Sequence, residues 1–267
     1  MRTALLPLIL LASLDADAST LRYAEDQGPG IVHPAYATSM GEARLNELVF
    51  ESLFTDDRDL ATKGQLAEKW ELAADGLSLT LNLRSNILWH DGRPVTAADV
   101  VFTIQALGNA DSLSPEAGRV RWIASAEALN PRTVVLHFAQ PETRPEDKLF
   151  FKILPQHRFS STKLDRADGF RRDPIGSGPY EVVSFNDDAS VTLRRTNRPE
   201  PAGIDEIIMR EVSDKGYQAK MLLYQSLEAL VRVLPRDLAT LQANSDVTLY
   251  PYQTNSWWYV GFNLTQA

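Results

Sequence analysis

Apolar residues recur at helical spacing in the first part of the chain. The first such segment begins after Ser39 and includes Met40, Leu45, Leu48, Val49, Leu53 and Phe54, with charged residues between them. This spacing predicts an amphipathic helix with one buried face. A second helix is predicted over residues 97–107. Thr96 can cap it, and Asp99 occupies its third position, where a carboxylate stabilises the free amide groups.

Alternation of apolar and polar residues predicts strands elsewhere. Residues 77–84 alternate, and Asp75-Gly76 separates them from the short run 69–72, so the two segments form a predicted hairpin with one buried face. Further strands are predicted over 21–24, 133–138, 180–185, 191–195, 204–212, 227–231 and 247–250, with helices over 214–224 and 235–243. Alternating strands and helices in the last third favour an α/β arrangement, whereas the hairpin-rich part before it favours α+β.

The first 18 residues have the pattern of a secretory signal peptide. Arg2 supplies a positive start, residues 3–14 form an apolar run, and Ala16-Asp17-Ala18 is a small-x-small cleavage site. The run is too short to span a bilayer. We therefore predict cleavage after Ala18 and export to the periplasm as a soluble chain. No lipid anchor is expected, because no cysteine follows the apolar run.

Composition argues against several classes of function. The chain contains no cysteine, which removes disulfides and thiolate chemistry. A net charge of -8 without a basic run is unsuited to nucleic acid or anionic lipid. The four histidines, His33, His90, His137 and His157, lack the paired spacing of metal ligands. We therefore predict no metal and no cofactor.

Nothing in the sequence has the spacing of a catalytic site. Gly176-Ser177-Gly178 lacks both the Lys-Ser/Thr ending of a phosphate loop and the G-x-S-x-G pattern of a hydrolase. The acidic pairs Asp56-Asp57 and Asp187-Asp188 fall in predicted turns. Glu206, Arg210 and Glu211 are interpreted as a solvated face. These observations favour a binding protein over an enzyme.

Four sequence blocks follow one another in a recognisable order. They are residues 66–71 with Asp75-Gly76 and the strand 77–84, then WHDGRPVTAADVVF at 89–102, PIGSGPY at 174–180, and GFN at 261–263. Together they resemble the family 5 extracellular solute-binding proteins, which are the dipeptide, oligopeptide and nickel binders of ABC importers. The resemblance covers essentially the whole chain after the signal peptide.

The resemblance implies a fold and a domain division. It implies a periplasmic-binding-protein-like lobe of the class II or cluster C type, α/β with a mixed sheet flanked by helices and an inserted α+β subdomain. The incomplete main lobe, domain I, would comprise residues 19–55 and 170–267, and the smaller domain II would comprise 56–169. Family members are longer, so the chain is expected to represent their N-terminal half. The opposing lobe, which would follow Asn263, is expected to be missing.

The resemblance also implies a function. The chain would be the periplasmic component that binds peptides or peptide-like solutes and delivers them to the membrane permease subunits of an ABC transporter. Two alternatives stay open: a binder of another solute, such as a nickel complex, an opine or an oligosaccharide, and a non-transporting interaction or chaperone-like module.

Five residues are candidates for ligand contact. Trp257, Trp258 and Tyr259 form an aromatic run in which alternation places Trp257 and Tyr259 on one face of a strand and Trp258 on the other. Core packing is the alternative for this run. Tyr36 and Met40 occupy the region that meets the ligand in the family, although Met40 could simply be the first core position of its helix. The motif at 89–92 is interpreted as a structural turn.

Overall fold

The computed structural model describes residues 19–28, 30–57, 59–197 and 203–251. The predicted signal peptide and the aromatic run at 257–259 lie outside these ranges. The strands are β1 (Thr20–Glu25), β2 (Phe54–Asp56), β3 (Thr62–Gly64), β4 (Ala67–Leu72), β5 (Ser78–Leu83), β6 (Ile123–Asn130), β7 (Thr133–Phe138), β8 (Tyr180–Phe185), β9 (Ser190–Arg195), β10 (Glu206–Glu211) and β11 (Ala229–Leu230). The α-helices are α1 (Met40–Val49), α2 (Ala97–Gly108), α3 (Lys215–Leu223) and α4 (Pro235–Gln242).

A five-stranded mixed sheet has the order β11-β1-β10-β9-β8. β11, β1 and β10 are parallel, whereas β9 and β8 are antiparallel to their neighbours. Successive residues of β1 point to opposite faces. Tyr23 therefore joins the main core with Met209 of β10, whereas Ala24 packs against Met221 of α3 and Leu227.

The second sheet is antiparallel and has the order β4-β5-β7-β6. β5 alternates as the sequence predicts: Leu79, Leu81 and Leu83 are buried, and the residues between them are not. α2 packs against β6 and β7 on this sheet. The main hydrophobic cluster includes side chains from both sheets, so one continuous core joins them.

Each of the first two helices begins with a pair of capping residues. The Ser39 hydroxyl accepts from the Glu42 N–H at 3.1 Å, and the Glu42 carboxylate accepts from the Ser39 N–H at 3.1 Å. At α2 the Asp99 carboxylate accepts from both the N–H and the hydroxyl of Thr96, at 2.8 and 3.1 Å. At both helices the carboxylate accepts from the backbone N–H of the capping residue, an amide that would otherwise be left free at the helix start, which explains why both helices begin where the sequence predicts.

The structure corrects three expectations at element boundaries. α1 ends at Val49, because the following residue is extended, so Leu53 and Phe54 are buried core residues outside the helix. Residues 247–250 form no strand, since no described strand lies beside them to supply hydrogen bonds. Met40 is not a core position: its side chain is 67% exposed.

Other strand predictions agree with the structure, and some strands were missed. The hairpin β4–β5 forms around Gly76, whose φ of +70° is the left-handed conformation that glycine favours. β1 and β7–β11 also form, with shifts of one or two residues at some ends. The sequence pattern did not predict β2, β3 or β6.

Candidate functional site

The carboxyl ends of β1, β10 and β11 meet at one edge of the five-stranded sheet because these strands are parallel. The turn between β8 and β9 lies at the same edge, since β9 runs antiparallel to β10. The helix after β1 covers the Tyr23 face of the sheet, and the helix after β10 covers the Ala24 face. Adjacent parallel strands whose connections leave on opposite faces create a crevice, which is where open α/β sheets bind ligands. We call this edge the carboxyl edge.

The larger cavity at the carboxyl edge has a volume of about 610 Å³. It is lined by Arg171, Arg172, Glu211, Phe185, Asn186 and the backbone around Gly28, among others. Glu211 is the last residue of β10, and its carboxylate lies over Gly28, where a β-carbon would overlap it. Phe185 contributes apolar surface and is 37% exposed. We call this the arginine cavity.

The smaller cavity, of about 150 Å³, lies at the end of β1, and four of the charged side chains that line it form two ion pairs. The buried Glu25 carboxylate accepts from Arg44 Nη1 at 2.6 Å. Lys215 Nζ lies 2.7 Å from the Asp26 carboxylate, and its hydrogen bond lowers the pKa of Asp26. Met40 lines the same cavity, so one sequence candidate does lie at the carboxyl edge.

Tyr36 occupies a different position. Its side chain is buried, its hydroxyl donates to the Ser112 carbonyl at 2.7 Å, and its ring meets the His33 ring edge-on with centroids 4.9 Å apart. Burial, followed by the charges of Asp168 and Asp165, raises the pKa of the Tyr36 hydroxyl to about 12. Tyr36 lines neither cavity of the carboxyl edge. It belongs to the loop between β1 and α1 and connects this loop to Ser112.

The turn at 89–92 is hydrogen-bonded to the segment 176–178 through His90. The His90 N–H donates to the Gly176 carbonyl at 2.8 Å, and the Gly176 N–H donates back to His90 Nδ1 at 3.2 Å. His90 Nε2 lies 3.0 Å from the Gly178 carbonyl, so the proton of the neutral ring belongs on Nε2. With both ring nitrogens engaged by backbone groups, His90 has a structural role.

The turn at 89–92 is also held from a second side. The Asp91 carboxylate lies 2.7 Å from His157 Nε2. Burial alone would raise the pKa of Asp91, but hydrogen bonds from the Arg93 N–H and from His157 outweigh it and lower that pKa.

The sequence pattern did not identify the charged residues of the carboxyl edge as candidates for ligand contact. Glu211 was interpreted as part of a solvated face; it is exposed, but it lines the arginine cavity. Its neighbour Arg210 pairs with Asp188 at 2.9 Å. The available signal was the position of Glu25, Asp26 and Glu211 at the ends of predicted strands. Arg171 and Arg172 gave no such signal, since they end a short 3₁₀ turn far away in the sequence.

The family model of bacterial extracellular solute-binding proteins, family 5 Middle, matches residues 61–267. The chain belongs to this family. It is 29% identical over 258 residues to a Brucella ovis protein provisionally named an ABC transporter peptide-binding protein, and this match covers 92% of the chain and 48% of that protein. It is 25% identical over 224 residues to the glutathione-binding protein GsiB of Salmonella typhi, covering 81% of the chain and 43% of that protein.

Solved structures of the family show the same fold. NikZ from Campylobacter jejuni, determined in complex with Ni(L-His), aligns with a TM-score of 0.78 and 26% identity. The alignment covers 85% of the chain and 45% of NikZ. The predicted fold class, a periplasmic-binding-protein lobe with a mixed sheet and flanking helices, is thereby confirmed. The chain spans about half the length of the relatives it matches.

Among the helices of the described ranges, none combines the length and the apolar character needed to cross a membrane. In the same ranges, no three His, Asp or Glu side chains are grouped so that they could hold a metal ion.

Proposed function

We propose that this chain forms the first lobe of an exported component that binds peptides or peptide-like solutes for an ABC importer. The single observation that carries the proposal is the carboxyl edge, where two cavities adjoin the ends of three parallel strands. The chain that forms this edge belongs to a family of solute-binding proteins. The peptide-binding and glutathione-binding names of the two relatives support a peptide-like solute. The same proposal includes export directed by a signal peptide at residues 1–18. It also includes a partner, the membrane permease subunits of the importer.

The proposed mechanism follows from the position of the crevice. A solute that rests against the carboxyl edge has one side on this lobe and its other side toward a second lobe. Closure of two lobes over a solute buries it, and the closed form is the one that a transporter can distinguish from the open form. On the lobe described here, the solute would contact Met40 and the walls of the arginine cavity.

The remaining sequence candidates are kept as proposals. Trp257, Trp258 and Tyr259 would supply aromatic surface to the solute from the segment that follows residue 251. Tyr36 would act through the loop between β1 and α1, because its own hydroxyl is already bonded to Ser112.

We also propose binding without chemical turnover. Affinity requires a concave surface with apolar walls and a few placed polar groups, and the carboxyl edge offers these. A catalytic site requires in addition a nucleophile or proton donor held against a partner group and directed at the solute. The acidic groups Glu25 and Asp26 at this edge are instead engaged with Arg44 and Lys215.

A titration of the chain with trialanine tests the proposal. A two-lobed binder with micromolar affinity gains about 8 kcal/mol, and one wall that supplies half of this leaves a Kd on the order of 1 mM. We therefore expect weak, saturable binding in an NMR titration, with shifts at residues of the carboxyl edge. Tight stoichiometric binding would contradict the need for a second wall, and no binding would contradict the proposed site.

Met40 offers a matched pair of variants for the same titration. Met40→Ala should weaken trialanine binding by about threefold to fivefold, because it removes roughly 1 kcal/mol of apolar contact. Leu129→Ala is the control, since Leu129 is also an exposed apolar side chain but belongs to the other sheet, on β6. Equal effects of the two substitutions would mean that Met40 does not contact the solute.

A further inference from the structure

The sulfur atoms of this chain belong to methionine alone, because the sequence contains no cysteine. Three of its methionines, Met40, Met209 and Met221, lie in the described ranges. Met209 on β10 is completely buried and Met221 on α3 is 9% exposed, whereas the Met40 side chain is 67% exposed. Met40 is therefore by far the most accessible methionine of the part of the chain that the structure describes.

The first turn of α1 holds Met40 at the carboxyl edge. Met40 is the first residue of this helix, and the capping bonds of Glu42 fix the turn in which it lies. Its side chain lines the smaller cavity together with Arg44, Lys215 and Arg232. An oxidisable sulfur and several cationic hydrogen-bond donors thus share one small space beside the proposed solute.

We propose that Met40 is a modification site, at which hydrogen peroxide oxidises the thioether to a sulfoxide and thereby weakens solute binding. The sulfur gives two electrons to the peroxide and bonds to one of its oxygen atoms. The O–O bond breaks, and the second oxygen leaves with both hydrogens as water. The product side chain is neutral and polar. The proposal deepens the proposed function and rests on it for the effect on solute binding.

The oxidation removes the property that Met40 contributes to the carboxyl edge. A thioether is apolar and polarisable and adapts to an apolar solute surface, whereas a sulfoxide oxygen is a hydrogen-bond acceptor. The smaller cavity can satisfy this oxygen, because Arg232 lines it, is exposed and has no ion pair among the described residues. At Met209 the same oxygen would be buried in the apolar core without a donor. Oxidation of Met40 is therefore expected to weaken binding without destabilising the fold.

Peptide mapping by mass spectrometry after brief exposure to hydrogen peroxide tests the selectivity of the site. In the folded chain, Met40 sulfoxide should form at least about tenfold faster than the sulfoxides of Met209 and Met221, because oxidation follows exposure. The control is the same chain unfolded in urea, where the three methionines should react at similar rates. Similar rates in the folded chain would overturn the site.

The trialanine titration measures the consequence for binding. Oxidation of Met40 should weaken trialanine binding about threefold to fivefold, the loss expected for Met40→Ala, because both changes remove the same apolar contact. The midpoint of urea denaturation should stay the same, and a lowered midpoint would contradict the absence of a structural effect.

Enzymatic reduction provides a second check on the cause of the loss. Methionine sulfoxide reductases for both epimers, supplied with a dithiol, should restore the affinity. The sulfoxide oxygen leaves as water while the dithiol becomes a disulfide. The chain itself has no cysteine with which the dithiol could exchange. Affinity that stays low after complete reduction of Met40 would overturn the proposal.

Met40→Leu separates Met40 from every other residue that peroxide can modify. Leucine is apolar and of similar volume but contains no sulfur. Whatever its affinity for trialanine before treatment, this variant should have the same affinity after treatment. A loss equal to that of the unaltered chain would refute the proposal, because another residue would then carry the effect.

These outcomes distinguish the proposal from the proposed function. If trialanine does not bind the untreated chain, the proposed function fails and the effect on binding fails with it, while peptide mapping still decides whether Met40 is the reactive site. If trialanine binds equally well before and after complete oxidation of Met40, the proposed function stands and the proposal made here is wrong.

Discussion

Glu42 determines the shape of the loop that leads from the end of β1, at the carboxyl edge, to α1. It lies in the first turn of α1 and is 4% exposed. One carboxylate oxygen accepts from the Ile31 N–H at 3.2 Å, and the other accepts from the N–H groups of Thr38 and Ser39 at 2.7 and 3.1 Å. A single side chain thus holds both ends of the segment 31–39.

The expected cost of removing this carboxylate follows from those bonds. A hydrogen bond to a charged group contributes about 1.5–3 kcal/mol, and an amide left buried without a partner costs about 1–3 kcal/mol. Three backbone amides lose their acceptor in Glu42→Ala, and some of them will recruit water. We expect a loss of about 3–5 kcal/mol in the free energy of unfolding, measured by urea denaturation. Glu42→Gln should lie between this variant and the unaltered chain.

Glu68 of β4 provides the control. Its carboxylate pairs with Arg132 Nη2 at 3.2 Å, and the two side chains are 46% and 51% exposed. A pair exposed on both sides contributes at most about 1 kcal/mol, so Glu68→Ala should have a small effect. Equal losses in Glu42→Ala and Glu68→Ala would refute the reasoning, because the difference between them rests on burial and on the backbone amides.

Two further predictions concern the frame of the site. Gly176→Ala should destabilise the fold by about 3 kcal/mol in urea denaturation, because its β-carbon would overlap the Val49 carbonyl; an unchanged midpoint would contradict this contact. Asp26→Asn should reduce stability at neutral and mildly acidic pH, and this effect should disappear in strong acid. The pKa of Asp26 is lowered in the fold by Lys215, so its contribution is present above its unfolded pKa and disappears as pH falls through the lower folded value. The stability of the two proteins, measured from pH 7 downward, should converge below about pH 4; a constant difference would exclude this linkage.

The sequence by itself determined the local elements whose signals lie within a few residues. Apolar spacing after Ser39 located the start of the first helix, the capping pair Thr96 and Asp99 located the start of the second, and Asp75-Gly76 with the alternation after it located a hairpin. The order of four motif blocks determined the family, which the family model confirmed. The helix starts and the hairpin are short-range features, so their prediction needed no knowledge of the rest of the chain.

Only the tertiary structure decided which elements become partners. β6 consists largely of exposed residues and exists as a strand because β7 pairs with it, whereas residues 247–250 have strand-forming composition but no described neighbour. The arginine cavity was equally inaccessible to sequence reasoning. Gly28 and Glu211 meet because β1 pairs in parallel with β10 across a long stretch of sequence, and Arg171 reaches the same cavity from a separate 3₁₀ turn. Parallel pairing depends on the burial of the whole sheet between its helices, which no local pattern records.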